Sequence, residues 1–329
     1  MSMISIVGQE YAKARLGKLF FSEPGHAYIF LGPDGIGKRT LAREAAKGLL
    51  CSRPDENGAC DTCGCCHYFD GGTHPDFREL AVSGGESLIK VESVRSQICG
   101  DVNVFPQIAN RKVYLIDGDG LNEQGQNALL KTLEEPPPNV VFFITGTDIS
   151  RFLSTVISRA EIISLRPNTE SELTSLLQKL VGLSPEESLP FVRFSEGIPG
   201  RAVSLSSSTW FAELRGEAAD VFFSLSGSSV TCRLTTVYSF FEENRDHISD
   251  ILTVWQMILR DLAVLSCGQE ESRLMNADFL QKMTDFLRRR NWTSEWIDSA
   301  NRVLSQTFSE LRANCSFESA VCGMLLSLP

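Results

Sequence analysis

Ala27-Tyr28-Ile29-Phe30-Leu31 runs directly into Gly32-Pro33-Asp34-Gly35-Ile36-Gly37-Lys38-Arg39-Thr40. Five apolar residues ending at a glycine read as a buried strand, and the Ala-, Leu- and Arg-rich stretch from Lys38 to Cys51 reads as a helix. A strand, a glycine loop with a terminal lysine, and a helix in that order make a phosphate cradle. The glycines let backbone N–H groups wrap phosphate, and the lysine reaches the outermost ones. Gly32, Gly35, Gly37 and Lys38 are therefore candidate nucleotide contacts. A Ser or Thr directly after the lysine would ligate Mg²⁺; here Arg39 stands there, and Thr40 comes one place late.

Outward from this loop, short apolar runs alternate with helical patterns. Strands are expected at Phe77–Val82, Lys112–Ile116, Val140–Thr145 and Glu161–Leu165. Helices are expected at Val7–Phe21, about Val91–Val102 and Asn122–Glu134. That alternation predicts an α/β fold with a parallel, doubly wound sheet over residues 1–166. Arg166-Pro167 ends it. Thr169–Glu172 and Ser184–Glu187 are capping boxes, the second with Pro185 at the first helical position. Residues 167–208 are expected to form a small helical domain. Residues 209–329 are expected to be helical throughout, with breaks near Gly227, Asn244, Gly268 and Asn291.

Val113-Tyr114-Leu115-Ile116-Asp117 is an apolar strand ending in a carboxylate, which suits a Walker B strand whose Asp117 holds Mg²⁺. A hydrolytic site would carry an acid at the next position to polarise the attacking water. Gly118 stands there, and Asp119 lies one step beyond. Strand side chains alternate faces, so Asp119 cannot simply stand in at 118. Positions 39 and 118 both count against Mg·ATP chemistry, although ADP or ATP remains the ligand class such a loop would take.

Five of the ten cysteines fall between Cys51 and Cys66. Cys51, Cys60, Cys63 and Cys66 form C-x8-C-x2-C-x2-C, and four thiolates can close tetrahedrally on a structural Zn²⁺. Cys65 and His67 are alternative ligands, and a loop of reduced thiols is the competing reading. Ser158-Arg159 precedes the Glu161 strand. Gly197-Ile198-Pro199-Gly200-Arg201 turns into a helix with a cation in its first turn, against the helix dipole. Arg201 thus faces either an anionic ligand or a structural ion pair.

The chain of 329 residues is 43% hydrophobic and 22% charged, enough for a packed core and too apolar for a disordered chain. No apolar run approaches the roughly 20 residues of a membrane span. The stretch Ile251–Leu265 is interrupted by Gln256, Arg260 and Asp261. The N-terminus shows no signal-peptide pattern, so a soluble, cytoplasmic protein is expected. A formal net charge of −10 argues against a chain that grips DNA alone. Trp255, Trp292 and Trp296 read as core or interface anchors.

Asn127-Ala128-Leu129-Leu130-Lys131-Thr132-Leu133-Glu134-Glu135-Pro136-Pro137, just after the Asp117 strand, resembles the helix-and-turn signature of bacterial clamp-loader AAA+ subunits. The cysteine insertion (about 51–67) and the Ser158-Arg159 pair fit the same family, whose Ser-Arg-Cys motif has Ala160 in its third place here. Within the family the chain resembles the delta prime branch more than the gamma/tau motor branch, which keeps Ser/Thr after the lysine and an acid after the Walker B Asp. His74-Pro75-Asp76-Phe77 and Ala313-Asn314-Cys315 also fit delta prime. The resemblance implies a AAA+ domain (1–166), a helical lid (167–208) and a helical collar (209–329). It also implies a hetero-pentamer with gamma/tau and delta that loads a sliding clamp on primer–template DNA. Arg159 would act as an arginine finger in a neighbour's ATP site. An active gamma/tau-type ATPase is the alternative.

Overall fold

The computed structural model describes residues 6–21, 24–82, 88–225, 227–268, 273–289, 294–313 and 315–328. Asn291, Trp292 and Asn314 lie outside them. The chain divides into two compact units, Met1–Ser188 with Ser195–Ser204 and Leu189–Phe194 with Leu205–Pro329.

In chain order the first part runs α1 (Glu10–Leu19), β1 (Ala27–Leu31), α2 (Lys38–Leu50), α3 (Gly64–Asp70), β2 (Phe77–Leu80), α4 (Val91–Val94), β3 (Lys112–Asp117), α5 (Glu123–Glu134), β4 (Val140–Gly146), α6 (Ser154–Ile157) and β5 (Glu161–Ser164). The strands form one sheet in the order β2-β3-β4-β1-β5, and every pairing is parallel. The expected α/β fold with a parallel sheet is thus present. β1, β3 and β4 are buried on both faces, which is why they read as continuous apolar runs. Alternation then sorts their side chains. Tyr28, Phe30, Val113, Leu115, Val141 and Phe143 pack toward α1 and α2. Ile29, Tyr114, Ile116, Phe142 and Ile144 pack toward α5 and α6 on the other face.

Boundaries differ where local chemistry intervenes. Asn122 is the N-cap of α5, its side-chain oxygen accepting from the Gly125 N–H at 2.8 Å. The helix expected over 91–102 widens after Val94 into a π-turn, Arg95–Cys99, closed by Gly100 N–H donating to Arg95 O at 2.8 Å. β2 stops at Leu80, short of the expected Val82.

α7 (Glu170–Leu180), α8 (Pro185–Phe194) and α9 (Pro199–Ser206) follow. Both expected capping boxes form. Thr169 and Glu172 satisfy each other's backbone N–H, and so do Ser184 and Glu187. Asn168 donates to Val7 O at 2.9 Å, tying this segment to the start of the chain.

The second unit is helical: α10 (Thr209–Ser224), α11 (Val230–Cys232), α12 (Tyr238–Glu243), α13 (Ile248–Ser266), α14 (Leu280–Arg289), α15 (Ser294–Arg312) and α16 (Phe317–Ser327). Gly227 and Gly268 sit in left-handed turns between helices, and Asn244 ends α12. Trp255 is fully buried, edge-on to Phe222 and Phe241, and donates its indole N–H to Ala218 O at 2.8 Å. Trp296 packs on Phe286. Asp261, also fully buried, accepts from the backbone of Met275 and Asn276 and from the Asn276 side chain, so this acid inside α13 anchors the following loop. Among the described residues no helix is long and apolar enough to cross a membrane.

Candidate functional site

Parallel pairing brings the C-terminal ends of β1, β4 and β3 side by side. Thr145 lies level with Phe30 on one side and Asp117 on the other. The glycine loop leaves β1 at this edge and ends in α2. Gly35 and Gly37 have φ of 78° and 97°, a left-handed geometry that turns backbone N–H groups inward. The first turn of α2 adds its unpaired N–H groups and the positive end of its dipole. A cavity of about 400 Å³ opens here, lined among others by Gly37, Lys38, Thr40, Glu79, Asp117 and Thr145. Gly35, Gly37, Lys38, Thr40 and Asp117 all line this cavity; Gly32 is not among its lining residues. Gly200, at the start of α9, also lines the cavity, and its N–H donates to Gly35 O at 2.9 Å. Arg201 is not among the lining residues; its guanidinium stands 4.0 Å from the Glu196 carboxylate.

Lys38 is buried and donates to Gly32 O (2.7 Å), Pro33 O (3.1 Å) and Asp34 (3.3 Å), so it lies folded onto its own loop. Arg39 reaches Glu79 at the end of β2 at 2.5 Å, and Arg43, one turn on, pairs with the same carboxylate. Nothing in the sequence linked Arg39 to a carboxylate forty positions away. The glycine cradle, Lys38 and the helix end fit the phosphates of a nucleotide. They do not fit a Mg²⁺ held by the residue after the lysine, because a guanidinium occupies that position.

Position 118 is closed for a different reason. A β-carbon on Gly118 would lie 2.6 Å from the Phe152 ring and 2.6 Å from Thr145 O. One of those contacts is backbone, so a side chain there requires the sheet edge to shift. Asp119 lines the cavity, but its carboxylate is engaged, accepting from Thr147 Oγ1 at 2.9 Å and pairing with Arg151 at 3.1 Å. Phe152, Thr145 and Glu79 are neighbours of the site that only their long-range contacts reveal.

Arg159 lies elsewhere. It follows α6 and precedes β5, whose Glu161 is level with Tyr28 near the start of β1. The glycine loop leaves the far end of β1, so at about 3.3 Å per residue Arg159 is roughly 20 Å from its own phosphate cradle, across the sheet. Its guanidinium donates to Thr155 O (2.8 Å) and pairs with Glu134 (2.9 Å), at an open depression also lined by His26, Glu135 and Ser158. The side chain keeps about a third of its surface exposed (32%).

The four cysteines come together. The sulfurs of Cys51, Cys60, Cys63 and Cys66 lie within 4.8 Å of one another, Cys51–Cys63 at 3.8 Å and Cys63–Cys66 at 3.4 Å. Tetrahedral zinc at 2.3 Å from each sulfur requires S···S near ~3.8 Å, so the donor set fits a four-thiolate metal site. Cys63 caps α3 and Cys66 follows three residues later on the same helix face, while Cys65 and His67 stay outside the cluster. Backbone N–H groups of Arg53 and Cys60 point at the Cys51 sulfur. Burial works against a thiolate at Cys63, but hydrogen bonds from Ser52 and Cys66 outweigh it and bring its pKa down to about 5. Buried Lys47 of α2 pairs with Asp61 (2.5 Å) and Asp70 (2.8 Å), tying the middle of the insertion and the end of α3 to α2.

Residues 16–169 match the family model described as DNA polymerase III, delta subunit. The chain is 42% identical over 139 residues to the DNA polymerase III subunit delta' of Pseudomonas aeruginosa, covering 42% of each chain. It is 33% identical over 181 residues to the delta' subunit of Escherichia coli, covering 55% of this chain and 54% of that one. The tau/gamma subunit of Haemophilus influenzae is 35% identical over 188 residues, 56% of this chain and 26% of its own length. The chain thus spans about half the length, or less, of the curated relatives it matches. A gamma subunit-related structure from Thermotoga maritima aligns over 96% of this chain and 98% of its own at 17% identity, with a TM-score of 0.41. Residues 16–169, which carry the glycine loop, the cysteine cluster and the Leu129–Pro137 segment, are thus similar to the delta' and tau/gamma subunits of DNA polymerase III.

Proposed function

We propose that this chain is the delta prime-type subunit of a clamp loader, which lends Arg159 to a neighbouring gamma/tau ATP site while its own site does not hydrolyse. One observation carries the reading. Arg159 sits, partly exposed, at the opposite end of the strands from its own cradle, which supports a role toward a second molecule. A guanidinium placed at a γ-phosphate stabilises transition-state charge, an effect worth on the order of 10³–10⁵ in rate. Glu134 and Thr155 O fix the direction in which Arg159 projects until a partner's phosphate competes for it. The chain's own site lacks a metal-binding hydroxyl at 39 and room for an acid at 118, which supports the idle half of the division of labour.

In this reading residues 1–166 form the AAA+ domain, 167–208 the lid and 209–329 the collar that joins gamma/tau and delta. The four cysteines hold a structural Zn²⁺. The sliding clamp and primer–template DNA are met through the complex, and the net charge of −10 leaves the isolated chain a weak DNA binder.

The test is reconstitution with gamma/tau and delta. Arg159→Ala assembles normally but loses most of the DNA-stimulated ATPase of the loader. Unchanged ATPase and clamp loading refute the role. Steady ATP turnover by the purified chain, abolished in Lys38→Ala, establishes the gamma/tau-type alternative instead.

A further inference from the structure

We propose that the glycine-loop site binds a nucleoside di- or triphosphate without Mg²⁺, with Arg39 released from Glu79 to take the charge-neutralising place of the metal. The inference rests on the phosphate-cradle reading but not on Arg159. Failure of one leaves the other standing.

Three observations carry it. Arg39 lies in the first turn of α2, whose N-terminus faces the cavity, at the position from which a Ser or Thr hydroxyl would hold the metal, and it lines that cavity. A guanidinium there supplies a permanent positive charge and a fork of N–H donors suited to phosphate oxygens.

Next, Glu79 is shared. Its carboxylate, 16% exposed, is held by both Arg39 and Arg43. Arg43 is the fixed partner, with its guanidinium stacked 5.4 Å from the Phe69 ring centre and 5.5 Å from that of Phe77. Arg39 is the loose one, 64% exposed. When Arg39 leaves, Arg43 still neutralises Glu79, so no buried charge is stranded.

Finally, the remaining charges at the rim are matched or screened. Asp119 faces Arg151, and Asp34, which Lys38 leaves on turning inward, is 90% exposed and screened by water, so Asp117 is the lining carboxylate with no ion pair among the described residues. Lys38 and Arg39 turned inward then outweigh Asp117 at the phosphates, without a divalent ion.

Binding of ADP and of ATP to the purified full chain, followed by calorimetry in EDTA and again in excess Mg²⁺, decides the matter. The affinity of the unaltered chain agrees between the two conditions within about twofold. Arg39→Ala weakens binding in EDTA about tenfold or more, the scale expected of a lost charge-assisted pair. Arg39→Ser makes binding Mg²⁺-dependent, stronger with the metal than with EDTA. Glu79→Gln, which removes the latch, strengthens binding in EDTA. Arg39 is exposed, and thermal melts of each variant check that the fold is kept. Binding that needs Mg²⁺ in the unaltered chain, EDTA affinity indifferent to Arg39→Ala, or no binding of either nucleotide at millimolar concentration each overturns the proposal.

Discussion

The Arg159 guanidinium lies 2.9 Å from the Glu134 carboxylate, a pairing between the turn before β5 and the end of the Leu129–Glu134 helix segment. Both side chains are partly solvated, at 32% and 48% exposure, so water screens most of the attraction. Such pairs are worth about 0–1 kcal/mol. Arg159→Ala and Glu134→Gln should therefore each shift the unfolding free energy of the isolated chain by no more than about 1 kcal/mol in urea titrations. A loss several times larger would mean that Arg159 holds its own protomer together, and the loader assay would then be reporting misfolding.

Gly118 should resist conversion into an acid. Gly118→Ala is expected to cost about 1–3 kcal/mol, because the new methyl meets the Phe152 ring and the Thr145 carbonyl together. Gly118→Glu should be less stable still and should not confer ATP turnover. Trimming the ring with Phe152→Leu cannot rescue it, since the Thr145 oxygen is backbone. Urea midpoints and a coupled ATPase assay read both effects. An active Gly118→Glu chain would show that the sheet edge gives way easily.

These contacts mark where sequence reading stops. The sheet was legible because β1, β3 and β4 are buried on both faces and so appear as unbroken apolar runs between glycines and helical patterns. The cysteine set was partly legible. Cys63 and Cys66 are three apart, which places them on one helix face and Cys65 on another, yet the sequence alone left Cys65 and His67 as rivals. The Arg39–Glu79 pair, the ring of Phe152 over Gly118 and the tie from Lys47 to Asp61 and Asp70 join residues from separate elements. Their partners are chosen by strand order and crossover packing, which no local pattern encodes. The π-turn after Val94 was missed because its residues keep an ordinary helical periodicity.

Metal removal should loosen the insertion without melting the sheet. The cysteines form their own small cluster, apart from the two cores that flank the strands. Lys47 keeps Asp61 and Asp70 attached whether or not the thiolates are ligated. Protein purified without added zinc should carry about one zinc per chain, as a closed four-thiolate site implies. Cys60→Ser or a strong chelator should remove it and speed amide exchange over residues 52–66, while β1, β3 and β4 stay protected. An empty site would return the cysteines to reduced thiols. Exchange that rises across the whole sheet would show that the metal supports the fold itself.

Acid should weaken the sheet unit through His74 and Asp76. Asp76 is buried and accepts from Gln107 N–H (2.6 Å), Ile108 N–H (2.9 Å) and Ala109 N–H (2.8 Å), which fixes the loop leading into β3. Burial alone would raise its pKa, but the backbone N–H groups of Ala109, Gln107 and Ile108 outweigh it, and the pKa falls below the ordinary carboxylate value. Burial depresses the pKa of His74, and its Nε2 has no hydrogen-bond partner among the described residues. Both groups bind protons more readily when unfolded. Their contribution is therefore complete above an unfolded histidine pKa of about 6.5. It declines as the pH falls, first from His74, then through the folded pKa of Asp76. Asp76→Asn puts an amide donor where the carboxylate accepted N–H bonds on both oxygens, so one donor faces another. The cost should be about 1–3 kcal/mol at neutral pH, with a flatter acid limb than the unaltered chain. Urea midpoints at pH 7, 5, 4 and 2.5 separate the outcomes, since the Asp76 share is lost only below about pH 4. Equal acid sensitivity in Asp76→Asn would assign the loss to other carboxylates.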